Sequence, residues 1–506
     1  MASVNKSLHW NNPLARHVGN LLPTLIVGIV LVVILAGLTG FNPFLGITSA
    51  LVLFLLVLVV PRPVLIVYGL ALILPLTDGL ARGSVLPVLR LGQALLALGF
   101  IFFLLARPGP LGKSHLTAID LAFVLFFLSE AVFPVLALYY RGEHLDLFSA
   151  GNYNEGTPLQ TLLGPLQYYL VYRIVVATIT SERQIAIALK LSFVASIAVS
   201  VIGILEKIVH PVMIFIVTYY PPIAWKSSVP VPLDEVRITS TMGGYTPLAS
   251  YLTATLIVVL VCSTVQKGLK ISPLLLATTL LLDSMALLLT GTFAGFLGLA
   301  VGAAVVFMLL RRLPKWIIIA LVGIALPALI FQSFFSARFS GWLGGGSDQG
   351  LFPTFGYRIM LWKNIFFPAI SQHFLFGAGP APAALNAWPT EETQYLGLLL
   401  RGGLPYFFSY FLLMGVAMAT CWRRIKTKSN DLVRKVAIAT LAILVAINVM
   451  NVSSLYFTYP GITQTLFMLL AIIVASEQLE VQGSSAASEQ QGTADGEWET
   501  QPCTSH

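Results

Sequence analysis

Charge is what this sequence has least of. Only 10% of its residues are Asp, Glu, Lys or Arg, against about 25% in soluble domains, and the mean hydropathy is +0.86. That scarcity excludes a large water-soluble enzyme. Cysteine is nearly absent too. Cys262, Cys421 and Cys503 fall in an apolar run, at a run's end and in the C-terminal tail, which excludes a disulfide framework or a cysteine metal cluster. Nucleotide-handling signatures are missing. Gly112-Lys113-Ser114 imitates the end of a phosphate-binding loop, but the spacing demands Gly where the chain has Arg107, and no strand precedes it. Gly377-Ala378-Gly379-Pro380 is no dinucleotide fingerprint, because Pro380 and Pro382 interrupt the helix that should follow. No paired-Asp motif for a metal-bound nucleotide sugar, no paired-His site and no nucleophilic Ser elbow occurs. If the chain is an enzyme, its substrate arrives already activated, and no metal or cofactor is expected.

Apolar runs are what remains: 57% of the chain is apolar or aromatic. Runs of about 20 residues are long enough to cross a bilayer core as helices. About fourteen such stretches can be counted, at 21–38, 44–60, 63–77, 88–106, 117–139, 160–178, 185–206, 247–265, 272–290, 293–310, 315–333, 396–421, 434–450 and 461–476. The expectation is an all-α, polytopic integral membrane protein with one large outward loop between spans 11 and 12. Lys and Arg set the orientation. With the N-terminus inside, the inward connections contain Arg62, Arg107 with Lys113, Arg183, Lys267 with Lys270, Arg311-Arg312 with Lys315, and the cluster from Arg423 to Lys435. Basic short loops on one side are the positive-inside pattern, so the net charge of +8 is a topology signal and not a nucleic-acid footprint.

The organisation expected is a cytoplasmic N-terminus (1–20), a bundle of about seven spans (21–206), an outward loop (207–246), spans 8–11 (247–333), a large outward loop (334–395), spans 12–14 (396–476) and a disordered cytoplasmic tail (477–506). The tail is rich in Ser, Gln, Gly, Glu and Thr and cannot form a core. The first apolar run lacks a small-residue cleavage site and reads as a retained anchor. A connection of about sixty residues between spans is uncommon unless it has a function. No fixed-period repeat is visible.

Several polar residues sit where they are costly. Glu130 and Asp283 lie near the middle of apolar runs, so each should face the bundle interior, pair or be protonated. Arg173 could partner one of them or snorkel to the surface. The outward loops hold the richer set. The run Asp234-Glu235-Val236-Arg237-Ile238-Thr239-Ser240-Thr241-Met242-Gly243-Gly244 leads into the eighth span. It offers either an anion seat on backbone N–H groups with Arg237 beside it, or a capped helix start. Arg358 and Trp362 are four apart on one helical face, suited to a lipid diphosphate, a sugar ring or the bilayer surface. Glu391 and Glu392 precede the twelfth span, three and four residues from Tyr395, so one helical face could present both carboxylates, or they could simply favour a helix N-terminus. On an ideal helix Arg401 lies about half a turn round from Glu392, which makes Arg358 the better partner for that carboxylate.

At these residues the chain resembles the O-antigen ligase and O-antigen polymerase superfamily of bacterial membrane glycosyltransferases. The likeness covers roughly residues 60–475 and is carried by RITSTMGGYTPLASYL from Arg237, LLLTGTFAGFLGL before and into the tenth span, YRIMLWKNIFFPAISQHFLFGAGP from Tyr357, and ETQYLGLLLRGGLPYFF from Glu392. It implies an all-helical enzyme of the bacterial inner membrane, both termini cytoplasmic. Such an enzyme moves or polymerises a glycan from undecaprenyl diphosphate onto a glycan or lipid acceptor hydroxyl at the outer face, without nucleotide or metal. The resemblance assigns Arg237 and Arg358 to the diphosphate. The sequence departs from the family at two places: Glu392 stands where the family generally has His, and Phe293 follows Thr292 where an Arg is frequent.

The expected activity is thus a glycan ligase or polymerase. Glu392 or His373 takes the acceptor proton, with Glu391 as a rival base. Arg237 and Arg358 stabilise the leaving diphosphate, and Trp362, Tyr395 and Arg401 are further substrate-binding candidates. The expected partners are the lipid-linked donor, the acceptor and membrane lipids. The alternative is a secondary transporter or lipid-linked oligosaccharide flippase that uses Glu130 and Asp283.

Overall fold

The computed structural model describes residues 62–80, 91–106, 116–142, 158–220, 237–265, 271–311, 353–380, 382, 384–388, 391–427, 431–459 and 461–477, with isolated positions between 322 and 336. Every regular element among them is helical. Helices occupy the expected stretches from 63–77 to 293–310 and from 396–421 to 461–476. The expected spans at 21–38 and 44–60, most of 315–333, the N-terminus and the tail beyond 477 lie outside the described residues.

Among the described residues six helices are long and apolar enough to cross a membrane: Ala118–Tyr140, Glu182–Ile208, Tyr245–Cys262, Phe293–Leu310, Gln394–Lys426 and Asp431–Met450. Val64–Thr77, Leu91–Leu104, His210–Tyr219, Pro273–Leu289 and Gly461–Glu477 are apolar but shorter. The chain is a multi-pass membrane protein. Several expected spans among the described residues are shorter than a full crossing. The 14 residues of Val64–Thr77 rise about 21 Å as a helix, short of the roughly 30 Å hydrocarbon core. His210–Tyr219 is also a departure, because that stretch was expected to be loop. Pro211 starts a 10-residue apolar helix there, too short to register as a span.

Tyr245–Cys262 is the central helix. Of its apolar window 83% is buried, against 28% for Phe293–Leu310, and it packs on Pro273–Leu289, Phe293–Leu310 and Asp431–Met450. Phe293–Leu310 approaches closely because Gly295, Gly298 and Gly302 face its neighbours. A methyl at Gly302 would meet Ile257 at 2.3 Å, and one at Gly298 would meet Met450 at 2.2 Å. Small residues at such crossings let backbones pack without a solvent-driven core. On the other face Leu297, Phe307 and Met308 are exposed, an apolar rim suited to lipid rather than water.

The buried carboxylates are placed by this packing. Asp283 accepts from Ser196 Oγ at 2.5 Å and Ser200 Oγ at 2.6 Å, two hydroxyls one turn apart on Glu182–Ile208. Both its oxygens are thereby committed to one helix–helix junction. Arg173 pairs with Asp120 at 3.2 Å, not with Glu130 or Asp283. Glu130 lies in the π-helical turn Leu128–Val132 inside Ala118–Tyr140, beside Tyr406 and Arg401.

Candidate functional site

The site begins with a helix that breaks. Gln394–Lys426 contains Gly403 at φ 64 and ψ −155, followed by Pro405. Proline has no N–H to offer the carbonyl four residues back, so Arg401 O needs another donor. It accepts from Gly379 N at 3.1 Å, while Leu400 O accepts from Ala378 N at 2.7 Å and Leu404 N donates to Phe374 O at 3.1 Å. The Gly377-Ala378-Gly379 string is therefore the patch that satisfies the broken helix. Only glycine fits: a Cβ on Gly377 would sit 2.3 Å from Arg401 O, and one on Gly403 would sit 2.4 Å from Leu375 O.

This repair fixes Arg401 against the turn before the helix. Arg401 Nε donates to Glu391 Oε1 at 2.9 Å, and Glu391 is fully buried. Trp362 Nε1, at the start of the π-helical turn Trp362–Phe366, donates to Glu391 O at 3.2 Å. The next residue points elsewhere. Glu392 has φ 57, a left-handed conformation in which non-glycine residues are uncommon. Its Oε2 accepts from Arg358 Nε at 3.2 Å and Nη2 at 3.1 Å. The two carboxylates do not share one helical face as expected, because both precede the helix and the left-handed residue sends them apart. Arg358 and Glu392 are both partly open, 29% and 25% exposed, so this pair can meet a substrate while Glu391 cannot.

Behind the pair lies a polar frame that sequence reasoning missed. Thr393 Oγ1 and Gln394 N both donate to Asn451 O at 3.0 Å. Tyr395 OH donates to Asn448 O at 2.6 Å, and its ring stacks on Phe411 at 5.6 Å. Tyr395 is thus tied into the bundle. Nothing in the local sequence marks Asn448 and Asn451 except that two amides end an apolar run.

Arg237 approaches from the other side. Glu206, buried on Glu182–Ile208, accepts from Thr239 N at 2.9 Å, Thr239 Oγ1 at 3.0 Å and Ser240 N at 2.7 Å. The expected anion seat on those backbone N–H groups is therefore held by the protein's own carboxylate. Gly79 N donates to Thr241 O at 2.8 Å, closing the segment from the far side. Arg237 stacks over Tyr245 at 4.2 Å, and among the described residues no carboxylate pairs with it. Burial lowers the pKa of Arg237, while the phenols of Tyr245 and Tyr456 act the other way. Tyr456, 1% exposed, is pushed up by burial and feels Arg358 as well as Tyr245. One phenol thus lies within electrostatic reach of both arginines.

His373 is in a different corner. Its Nδ1 lies 2.8 Å from Arg141 Nη1. A guanidinium can only donate, so Nδ1 accepts and the ring proton sits on Nε2. Among the described residues no group of three or more His, Cys, Asp or Glu side chains could hold a metal.

The O-antigen ligase family profile matches residues 278–411, a stretch that includes Arg358, Trp362, His373, Glu391, Glu392, Tyr395 and Arg401. No curated protein matches the chain.

Proposed function

We propose, from the match of residues 278–411 to the O-antigen ligase family, that the chain transfers a glycan from undecaprenyl diphosphate to an acceptor hydroxyl at the outer face of the bacterial inner membrane. In this reading the chain crosses the membrane about fourteen times with both termini cytoplasmic, and 334–395 is the outward loop. The observation that supports the activity is the Arg358–Glu392 pair together with Arg237, which stacks on Tyr245 and, like Arg358, lies within electrostatic reach of Tyr456. Two guanidinium groups and one accessible carboxylate are the parts an in-line glycosyl transfer needs.

The acceptor oxygen forms its bond to the anomeric carbon as the bond to the diphosphate breaks. The bonding electrons leave on the phosphate oxygen, and the acceptor proton passes to Glu392. Arg237 and Arg358 stabilise the charge that develops on the diphosphate, and such preorganised donors supply much of a catalytic rate. A carboxylate has about four acceptor positions, so the Arg358 fork does not exhaust Glu392. Glu391 is fully buried against Arg401, and the His373 Nδ1 lone pair is taken by Arg141, so Glu392 suits the base better than either. Trp362 and Arg401 hold the turn that presents it.

The test is transfer by purified full-length protein in lipid discs, supplied with lipid-linked glycan from its own cells and read as free undecaprenyl diphosphate. Glu392→Gln should lower turnover about 10²–10⁴-fold, the usual worth of a positioned base, while His373→Ala keeps most of it. Full activity in Glu392→Gln, or loss confined to His373→Ala, overturns the assignment.

A further inference from the structure

Asn451 is fully buried at the end of Asp431–Met450; its N–H closes that helix on Ile447 O at 2.8 Å, and its carbonyl and side-chain amide bond to other elements. Its carbonyl takes two donors from the residues directly after Glu392, Thr393 Oγ1 and Gln394 N, both at 3.0 Å. Its side-chain Oδ1 accepts from Phe457 N at 3.2 Å, the residue directly after Tyr456. Its Nδ2 donates to Tyr410 OH at 2.7 Å, which in turn donates to Asn448 Oδ1 at 3.1 Å. The amide orientation is forced, since a flipped amide would set two donors against each other at Phe457.

These bonds tie together pieces of chain that otherwise have separate supports. Glu392 sits at φ 57, a conformation that persists only where the surroundings over-determine it. The seat for the leaving group rests on other elements: Arg358 on Pro353–Leu361, and Arg237 on the turn held by Glu206. We infer that Asn451 is a positioning residue that sets the reach of the base Glu392 to the two-arginine seat. The inference rests on the transfer reading given above. It follows that Asn451 controls the chemical step and not the affinity for the lipid diphosphate, because neither arginine is carried on an element it holds.

The experiment compares Asn451→Ala, Tyr410→Phe and Glu392→Gln as full-length proteins in lipid discs. Binding is probed with undecaprenyl diphosphate alone, and turnover with lipid-linked glycan from the same cells. Asn451→Ala should bind the diphosphate within about twofold of the parent, with one site per chain, while kcat falls about 10- to 100-fold, the scale on which small misplacements act. A merely structural role would lower the number of binding sites in step with kcat. Tyr410→Phe removes one hydroxyl and keeps the ring, and it should lower kcat about 3- to 10-fold at unchanged affinity. It carries the test if Asn451→Ala does not fold. Parental kcat in Asn451→Ala, or in Tyr410→Phe where only that variant folds, overturns the inference, and an inactive Glu392→Gln beside it leaves the transfer reading standing. Loss of diphosphate affinity in Asn451→Ala also overturns it. Full activity in Glu392→Gln removes the base reading and this inference with it.

Discussion

Glu391 and Glu392 are neighbours in sequence, yet each carboxylate belongs to a different arginine: Arg401 for Glu391 at 2.9 Å, Arg358 for Glu392 at 3.1 Å. The left-handed backbone of Glu392 itself separates a buried structural pair from an accessible one.

Glu392→His should be accepted. Asn, Asp and His are the non-glycine residues that tolerate a left-handed backbone best. The variant should express at parental levels and retain transfer measurably above Glu392→Gln. Glu392→Val, β-branched at the same φ, should fold poorly. Equal stability of the Val and His variants in thermal melts would contradict this account.

Glu391→Gln should lose stability before it loses chemistry. Removing one partner of a buried ion pair costs about 3–5 kcal/mol, and Arg401 retains only 15% exposure to water. The expected result is a clear drop in melting temperature in detergent, with residual transfer in proportion to the folded fraction. A parental melting temperature would show that the pair does not hold the turn.

Arg358→Lys and Arg237→Lys keep charge but lose the planar fork. Each should weaken binding of undecaprenyl diphosphate at least about tenfold, roughly one charge-assisted hydrogen bond, at normal expression. Parental affinity in both variants would remove the diphosphate seat.

Gly403→Ala and Gly415→Ala lie on the same helix and should act in opposite directions. Gly403 is at a conformation open essentially to glycine alone, and its Cβ would meet Leu375 O, so alanine should unseat Arg401 and abolish transfer. Gly415 has open space around it, so alanine there should stabilise the helix by up to about 1 kcal/mol. Thermal melts of the two variants give the comparison.

Much of this architecture could be read from the chain because long apolar runs announce helices wherever they end in charge or Pro/Gly. Pro158–Thr178, Glu182–Ile208 and Asp431–Met450 fall on the expected stretches within a few residues. The length of each helix was less legible, since a 14-residue run and a 27-residue run carry the same local signal. Arg358 is the partner expected for Glu392, although Glu392 precedes the helix whose register suggested it. The binding of Thr239 and Ser240 by Glu206, and of Thr393 by Asn451, was not expected. Those contacts join residues 33 and 58 positions apart, and a single sequence holds no trace of such distances.

The contact of Gly79 with the 241–243 turn limits how this protein can be taken apart. A Cβ at Gly79 would lie 2.1 Å from Gly243 N, so the two backbones touch with no side chain between them. The family profile begins only at residue 278, well after both. A chimera that transplants 278–411 alone would leave behind Gly79, Glu206 and Arg237, and with them half of the proposed diphosphate seat. Swapping of donor or acceptor preference between relatives has to carry the N-terminal bundle along as one heritable unit.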